Sequence, residues 1–123
     1  MGLGNTELST CFPAACTTAS SWNKELLYKM GIAMGKECNY YDVNVILGPA
    51  INIKRNPLCG RNFEYYSEDP LIAGSFAAAN VKGVQSQRIA ATVKHYCANK
   101  NKYAYAHNCC NYGYCYCCNK KEF

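Results

Sequence analysis

The feature that most constrains this chain is a strand–helix–strand pattern with a long loop inside it. Val43–Leu47 is a short run that is apolar apart from Asn44, Asp69-Pro70 is a helix-start signal, and Ile89–Val93 is a second short apolar run. Strands joined through a helix are typical of parallel pairing. Nearly continuous apolar runs are typical of strands covered on both faces. The pattern therefore predicts an α/β fold with buried, parallel strands.

The loop between the first strand and the helix runs from Gly48 to Asp69 and is too long for a simple connection. Long loops inside compact domains are usually functional. This one carries charged and amide side chains of the kind that bind polar ligands: Asn52, Lys54, Arg55, Arg61, Asn62 and Glu64. Lys94-His95 directly follows the second strand. Because ligands of parallel α/β folds bind at the carboxyl ends of the strands, we expect the loop and Lys94-His95 to share one face.

Two helices accompany the strands. Apolar residues recur at helical spacing from Trp22 to about Asn39, and Ser20 or Ser21 can cap that helix. Gly31 and Gly35 either weaken it or permit close packing. The second helix has Asp at its N-cap and Pro at its first position, and we expect it to end at Gly83. Capping also explains the acidic pair Glu68-Asp69 without a catalytic role.

The residue types at the predicted ligand edge favour hydrogen-bond donation. Lys94 offers three donors, His95 can donate or accept, and Arg61 adds a guanidinium. Together they would form a donor-rich pocket suited to a polyhydroxylated ligand or an anion. Glu64 is close enough in sequence to pair with Arg61, so a loop clamp without a ligand stays open, as does a merely solvated Lys94. These residues alone do not name a reaction.

Charge and hydropathy exclude some partners. The net charge is +5, and the four lysines and one glutamate of residues 100–123 account for +3 of it (4 − 1), leaving +2 for the body. We therefore expect no nucleic-acid partner, because the body has no basic stripe. We expect no membrane span either, since the chain lacks a run of ~18 apolar residues. The N-terminus lacks a signal-peptide pattern, which favours a cytoplasmic location. No cofactor is expected.

The ten cysteines fall into two sets. One set is scattered and is expected to consist of ordinary buried thiols from a reducing compartment: Cys11, Cys16, Cys38, Cys59 and Cys97. The other set crowds into a Cys/Tyr-rich tail at 100–123: Cys109, Cys110, Cys115, Cys117 and Cys118. With His107 these could hold zinc or form disulfides, but their spacing lacks the paired arrangement of structural zinc sites. We favour a disordered or frameshifted tail and assign no metal ligand.

Three long motifs occur in the order and spacing of a known family. They are CFPAACTTASSWNKELL at Cys11–Leu27, LGPAINIKRNPLCGRNFEYYSEDPLIAG at Leu47–Gly74, and VKGVQSQRIAATVKHYCAN at Val81–Asn99. The chain from Thr10 to Asn99 thus resembles glycoside hydrolase family 3, the β-glucosidase group. The resemblance implies that residues 1–99 are a fragment of its N-terminal domain. That fragment would be a partial (β/α)8 TIM-type barrel, incomplete and about half of the whole, followed by the non-homologous tail.

The resemblance also implies roles for residues. Arg61, Lys94 and His95 match the family's arginine and lysine–histidine pair that hold the hydroxyls of the non-reducing-end sugar. They are our substrate-binding candidates. Two departures from the resemblance stand out: Arg88 stands where it implies a small residue, often glycine, and Ala50 stands where it implies that glycine is frequent.

The implied activity is retaining hydrolysis of terminal non-reducing β-D-glucosyl residues, with a β-glucoside or oligosaccharide as substrate. Such a mechanism needs two carboxylates. The family nucleophile lies in a Ser-Asp-Trp-like motif, which this sequence lacks. We therefore expect no catalytic residue in this chain and no activity from it alone. The alternative is a small non-catalytic binding protein with a metal- or disulfide-forming tail.

Overall fold

The structure is a computed structural model that describes residues 8–96. Five helices and strands and one turn of 3₁₀ helix follow one another along this part of the chain. In order they are α1 Ala15–Ala19, α2 Lys24–Tyr40, β1 Val45–Ile46, the 3₁₀ turn Asn62–Glu64, α3 Pro70–Gln85 and β2 Ala90–Ala91. The strands pair in parallel, with Val45 opposite Ala90 and Ile46 opposite Ala91. The predicted α/β unit with parallel strands is therefore present.

Helix α3 begins where the sequence predicts. The side chain of Asp69 accepts hydrogen bonds from the backbone N–H groups of Leu71 at 2.7 Å and Ile72 at 3.3 Å, and Pro70 is the first helical residue. These bonds satisfy two of the amides that the start of a helix leaves without partners. The helix runs two residues past the predicted end at Gly83, because Gly83 serves in a helix–helix contact instead of a cap.

The predicted start of α2 is wrong. Asn23 is its cap, with a side-chain oxygen that accepts from the Leu26 N–H at 3.1 Å. Ser20 and Ser21 close the end of α1 instead, where their hydroxyls donate to the carbonyls of Cys16 and Thr18. Trp22 lies outside both helices with a φ of 54° and an exposed ring. Helix α1 itself was not predicted, since five small residues are too few to show a helical period.

Helices α2 and α3 pack directly against each other through glycines. A side-chain methyl at Gly83 would lie 3.0 Å from the Cα of Gly31 and would meet the Tyr28 carbonyl. A methyl at Gly31 would meet the Asn80 carbonyl. Close packing, one of the two roles considered for Gly31, is therefore the one it has. The crossing closes the main core, which within residues 8–96 consists of twelve buried residues: Ala15, Ala19, Leu27, Met30, Met34, Cys38, Tyr66, Ala73, Phe76, Ala77, Val84 and Ile89.

The strands are shorter and more exposed than predicted. Each contains two residues, and the side chains of Val45 and Leu47 are 49% and 72% exposed. Ile46 packs against the core, and since side chains alternate along a strand, Val45 points to the other face. Burial on both faces was thus a wrong expectation within residues 8–96, where the two helices cover only one face of the two-stranded sheet.

The scattered thiols are only partly as expected. Cys38 and Cys59 are buried, whereas Cys11 is exposed and Cys16 half-buried; all four are free thiols. Burial raises the pKa of the Cys38 thiol, and the nearby Glu37 adds to the effect. Cys97 and the tail at 100–123, with its metal and disulfide alternatives, lie outside the described residues. Across 8–96, no helix has the length and apolar character needed to cross a membrane.

Candidate functional site

The sheet ladder continues beyond the two strands and brings the long loop to Lys94. The N–H of Lys94 donates to the Pro49 carbonyl at 3.0 Å, and the N–H of Ile51 donates to the Lys94 carbonyl at 2.7 Å. Ala50 forms parallel bridges with Lys94 on one side and Tyr65 on the other. The start of the loop is therefore held between its own far end and the segment that follows β2. The two polar groups do share one face.

Glu64 lies at the centre of the cluster. Its Oε1 accepts a hydrogen bond from Nε of Arg61, and its Oε2 lies 3.4 Å from Nζ of Lys94. Glu64 is only 8% exposed and stands at the end of the 3₁₀ turn, three residues after Arg61. The predicted Arg61–Glu64 pairing is present, and the carboxylate additionally reaches Lys94. One buried carboxylate thus orients two cationic donors.

The two cations determine the charge state of Glu64. Burial by itself would raise the pKa of this carboxyl, but the hydrogen bond and charge of Arg61 and the charge of Lys94 outweigh burial and lower the pKa below its ordinary value. Glu64 is therefore ionised at neutral pH and acts as an acceptor. A carboxyl in this state is a poor proton donor, which argues against Glu64 as a general acid.

His95 is held by two residues of the long loop. Its backbone N–H donates to Oδ1 of Asn52 at 2.9 Å, and its ring Nδ1 lies 3.1 Å from the same oxygen. The Tyr65 hydroxyl is 3.5 Å from Nδ1, and the two rings meet edge to face with centroids 6.1 Å apart. The peptide bond between Lys94 and His95 is cis. The contacts with Asn52 and Tyr65 hold the ring on its Nδ1 side.

The surroundings of His95 favour the neutral imidazole. Burial lowers the pKa of the ring, and the positive charges of Arg61 and Lys94 lower it further, while the Glu64 carboxylate opposes them in part. At neutral pH the cluster then contains one carboxylate, two cations and a neutral imidazole. Such a set can donate to hydroxyl oxygens and, at one imidazole nitrogen, accept from a hydroxyl.

A small cavity adjoins the cluster. Its volume is ≈ 180 Å³, and Lys94 and Glu64 contribute its polar wall together with Asn80. The rest of the lining is mostly apolar: Met34, Ile46, Leu47, Gly48, Pro49, Ala50 and Phe63. Arg61 and His95 are not part of this lining. The Lys94–Glu64 side of the cluster is thus partly enclosed, whereas Arg61 and His95 lie outside the cavity lining.

The polar loop residues divide into two groups. Asn52 and Glu64 contact the candidates Lys94 and His95, whereas Asn62 holds the loop by donating to the Asn56 carbonyl at 2.9 Å. Sequence reasoning counted Asn52 among ligand-binding side chains and missed its contact with His95. It missed Tyr65 altogether, because a tyrosine in a loop carries no signal for a partner thirty positions away.

Within residues 8–96, no group of three or more His, Cys, Asp or Glu side chains could hold a metal ion. The cluster itself has one carboxylate and one histidine, and two cations surround that carboxylate. The described acidic oxygens of the cluster are thus already paired with Arg61 and Lys94.

With the α/β unit and the donor-rich cluster described, comparison with known proteins gives the family. The glycosyl hydrolase family 3 N-terminal domain matches residues 2–112. The chain therefore belongs to glycoside hydrolase family 3. The match runs past Asn99, so the boundary placed there stays a prediction.

Individual relatives agree with this assignment. The chain is 50% identical over 101 residues to thermostable beta-glucosidase B of Acetivibrio thermocellus, covering 82% of this chain and 13% of that protein. It is 54% identical over 94 residues to an exo-alpha-(1->6)-L-arabinopyranosidase of Bifidobacterium longum, covering 76% of this chain and 12% of that protein. The chain thus spans about an eighth of the length of these relatives.

Solved structures match the fold as well. Beta-glucosidase 3B from Thermotoga neapolitana, in complex with alpha-D-glucose, superposes with a TM-score of 0.76 at 57% identity, over 79% of this chain and 14% of that one. A family 3 beta-glucosidase of Bifidobacterium adolescentis gives 0.79 at 51% identity, over 81% and 15%. The α/β arrangement seen here is therefore that of a segment of these enzymes.

Proposed function

We propose that this chain is part of a β-glucosidase-type glycoside hydrolase and supplies side chains that bind the sugar. The observation that carries the proposal is the Glu64 carboxylate, which holds Arg61 and Lys94 as donors beside His95. Donors fixed by a buried carboxylate need little reordering when a hydroxylated ligand arrives. The glucose complex of the Thermotoga neapolitana relative supports glucose as the ligand to test first.

The fold part of the proposal is an incomplete (β/α)8 barrel formed by residues 1–99. The parallel strand–helix–strand unit supports it, since that unit is the repeat from which such barrels are built. The open face of the sheet supports it too, because Val45, Leu47 and Val93 expose apolar surface that neighbouring barrel strands would cover. Residues 100–123 would be a separate tail.

The chemical part of the proposal is that no residue of this chain performs the bond cleavage. Retaining hydrolysis needs a nucleophilic carboxylate and an acid/base carboxyl on either side of the scissile bond. Glu64 is the buried carboxylate of the cluster, and it is already paired with Arg61 and Lys94. It is thus suited to hold the donors and unsuited to attack the sugar. Specificity for a terminal β-D-glucosyl group would come from the donors.

A titration of the full chain with D-glucose, followed by amide NMR, tests binding. We expect shifts at Arg61, Lys94 and His95, and we expect Lys94→Met to abolish them because it keeps the stem and removes the ammonium. Lys54→Met is the matched control, since Lys54 is a loop lysine outside the cluster. Shifts confined to other residues, or unchanged binding by Lys94→Met, would refute the proposal.

A chromogenic β-glucoside assay tests the chemical part. We expect no release above buffer from the purified chain, and turnover that survives further purification would contradict this expectation. Elemental analysis of the same sample separates the proposal from a stand-alone metal protein, for which stoichiometric zinc would be found.

A further inference from the structure

Asn52 contacts His95 in a way that fixes atom identities. The backbone N–H of His95 can only donate, and it points at the Asn52 side-chain atom 2.9 Å away, so that atom must be the carboxamide oxygen. The same oxygen lies 3.1 Å from Nδ1 of the His95 ring. An oxygen facing an unprotonated nitrogen at this distance would bring two lone pairs together. The stable arrangement places a proton on Nδ1, which then donates to Asn52.

The Tyr65 hydroxyl is compatible with this arrangement. It lies 3.5 Å from Nδ1, farther than the Asn52 oxygen, and a hydroxyl can accept as well as donate. The Asn52 oxygen is the closer atom and can only accept, so it places the proton on Nδ1. In neutral imidazole, a proton on Nδ1 leaves Nε2 with a lone pair. Within residues 8–96, Nε2 has no hydrogen-bond partner.

We propose that Asn52 is a positioning residue that holds His95 as the Nδ1–H tautomer, so that Nε2 is the hydrogen-bond acceptor among the donors of the sugar site. The proposal deepens the proposed function and rests on it for the identity of the ligand. Asn52 is 8% exposed and its carboxamide oxygen faces the Nδ1 edge of the ring, so we assign it an action on the ligand through His95.

The consequence is a requirement on the sugar. Lys94 and Arg61 donate, so they recognise any oxygen that accepts. Nε2 accepts, so the group facing it must carry a proton. A hydroxyl satisfies this, whereas a fluorine or a methoxy group in the same place leaves the imidazole lone pair without a donor. His95 is half-buried, so its Nε2 would lose contact with water only under the bound sugar. An acceptor covered in this way and left without a partner is costly, and this asymmetry is how polar sites reject close analogues.

The tautomer can be read directly in the full chain without any ligand. The sequence has two histidines, His95 and His107, so His107→Gln leaves a single imidazole spectrum to assign. In long-range ¹H–¹⁵N spectra at neutral pH, we expect His95 to show a protonated Nδ1 and an unprotonated Nε2. The opposite pattern in the wild-type ring would overturn the proposal at once, whether or not the chain binds sugar.

Two substitutions at position 52 separate positioning from mere packing. Asn52→Leu keeps the size and removes the acceptor, so we expect the Nδ1–H signature to be lost. Asn52→Asp keeps an acceptor oxygen, so we expect the signature to be kept and the His95 pKa to rise.

Asn62→Leu in the same loop is the control, because Asn62 bonds to the Asn56 carbonyl and not to His95. An unchanged tautomer in folded Asn52→Leu would contradict the proposal. If Asn52→Leu does not fold, Asn52→Asp still tests the proposal. Loss of the Nδ1–H signature in Asn52→Asp would contradict the proposal as well.

Binding measurements complete the test. We expect the wild type to bind one monodeoxyfluoro analogue of D-glucose more weakly than D-glucose itself. We expect Asn52→Leu to bind that analogue no more weakly than the wild type does. If the tautomer is as proposed but D-glucose does not bind, the proposed function fails while the positioning role stands. If D-glucose binds and the tautomer is Nε2–H, the positioning role alone fails.

Discussion

The Nζ of Lys94 lies 3.4 Å from Oε2 of Glu64, and this contact joins the segment after β2 to a residue thirty positions earlier in the chain. The other oxygen of the same carboxylate pairs with Arg61. A single buried carboxylate therefore connects the middle of the long loop with the segment after β2. Removing its charge should disturb both donors together, which makes Glu64 the most informative position in the cluster.

Glu64→Gln should destabilise the chain by about 2 kcal/mol at pH 7. Losing one partner of a buried ion pair costs about 3–5 kcal/mol, and the value here is lower because Arg61 and Lys94 reach water. The free energy of unfolding in urea measures it. Glu25→Gln is the control, since it removes the carboxylate of an exposed pair with Lys29, 2.8 Å apart, and should have a far smaller effect. Equal effects of the two variants would contradict the prediction.

The pH dependence of stability should carry the signature of Glu64. Its pKa in the folded chain lies below the ordinary 4.5, so near that pH the unfolded chain binds more protons than the folded chain. The contribution of the carboxylate is therefore complete above pH 4.5 and is lost as the pH falls through the folded pKa. Unfolding curves recorded from pH 7 downward should show a shallower acid loss in Glu64→Gln than in the wild type. Parallel curves would mean that other carboxyls cause the loss.

Gly83→Ala should destabilise the chain by about 3 kcal/mol, since a methyl group there meets the Tyr28 carbonyl and overpacks the α2–α3 crossing. Gly74→Ala in the same helix is the matched control. Nothing lies within 4 Å of a methyl at Gly74, so helix propensity should stabilise the chain by about 1 kcal/mol. Thermal and urea unfolding of both variants measure the two changes, and a shift of the same sign in both would contradict the packing argument.

Asp69→Ala should cost about 1 kcal/mol, because it removes the acceptor for the first amides of α3. Glu68→Ala changes the neighbouring acidic residue, for which the described contacts show no capping bond, and should leave the free energy of unfolding nearly unchanged. Comparable losses in the two variants would show that general acidity near the helix start matters more than the cap.

Local chemistry explains what the sequence predicted well. The cap of α3 depends on Asp69 and the two residues that follow Pro70, and the pairing of Arg61 with Glu64 spans three positions. The parallel strands follow from the helix between them. Each of these features is determined by neighbours in the sequence or by the connection itself, and a single sequence contains that information.

The parts that the sequence missed depend on distant residues. The contact of Asn52 with His95 joins positions 43 residues apart, and nothing in either residue type specifies the other. Burial of β1 was overestimated because an apolar run shows that a strand prefers to be covered and does not show what covers it. The cap of α2 was placed too early because Ser20 and Ser21 are good caps in composition, yet their hydroxyls close α1.

Arg88 offers the last prediction, and it comes from a departure already visible in the sequence. The resemblance leads us to expect a small residue, often glycine, at this position, and the φ of Arg88 is 64°, in the left-handed region. Its N–H donates to the Gln85 carbonyl at 2.9 Å, which is how the chain leaves α3 and turns towards β2. A residue with a Cβ in this region costs about 1–2 kcal/mol, whereas glycine adopts it freely.

Arg88→Gly should therefore stabilise the chain by about 1 kcal/mol. The backbone strain that glycine removes from the folded chain exceeds the conformational entropy that glycine adds to the unfolded chain. Arg88→Ala is the control, because it also removes the exposed side chain and keeps the Cβ, so it should give no such gain. Urea unfolding of the three proteins under one condition measures the difference. If alanine stabilises as much as glycine, the side chain and not the backbone is the source of the cost, and the turn between α3 and β2 carries no strain.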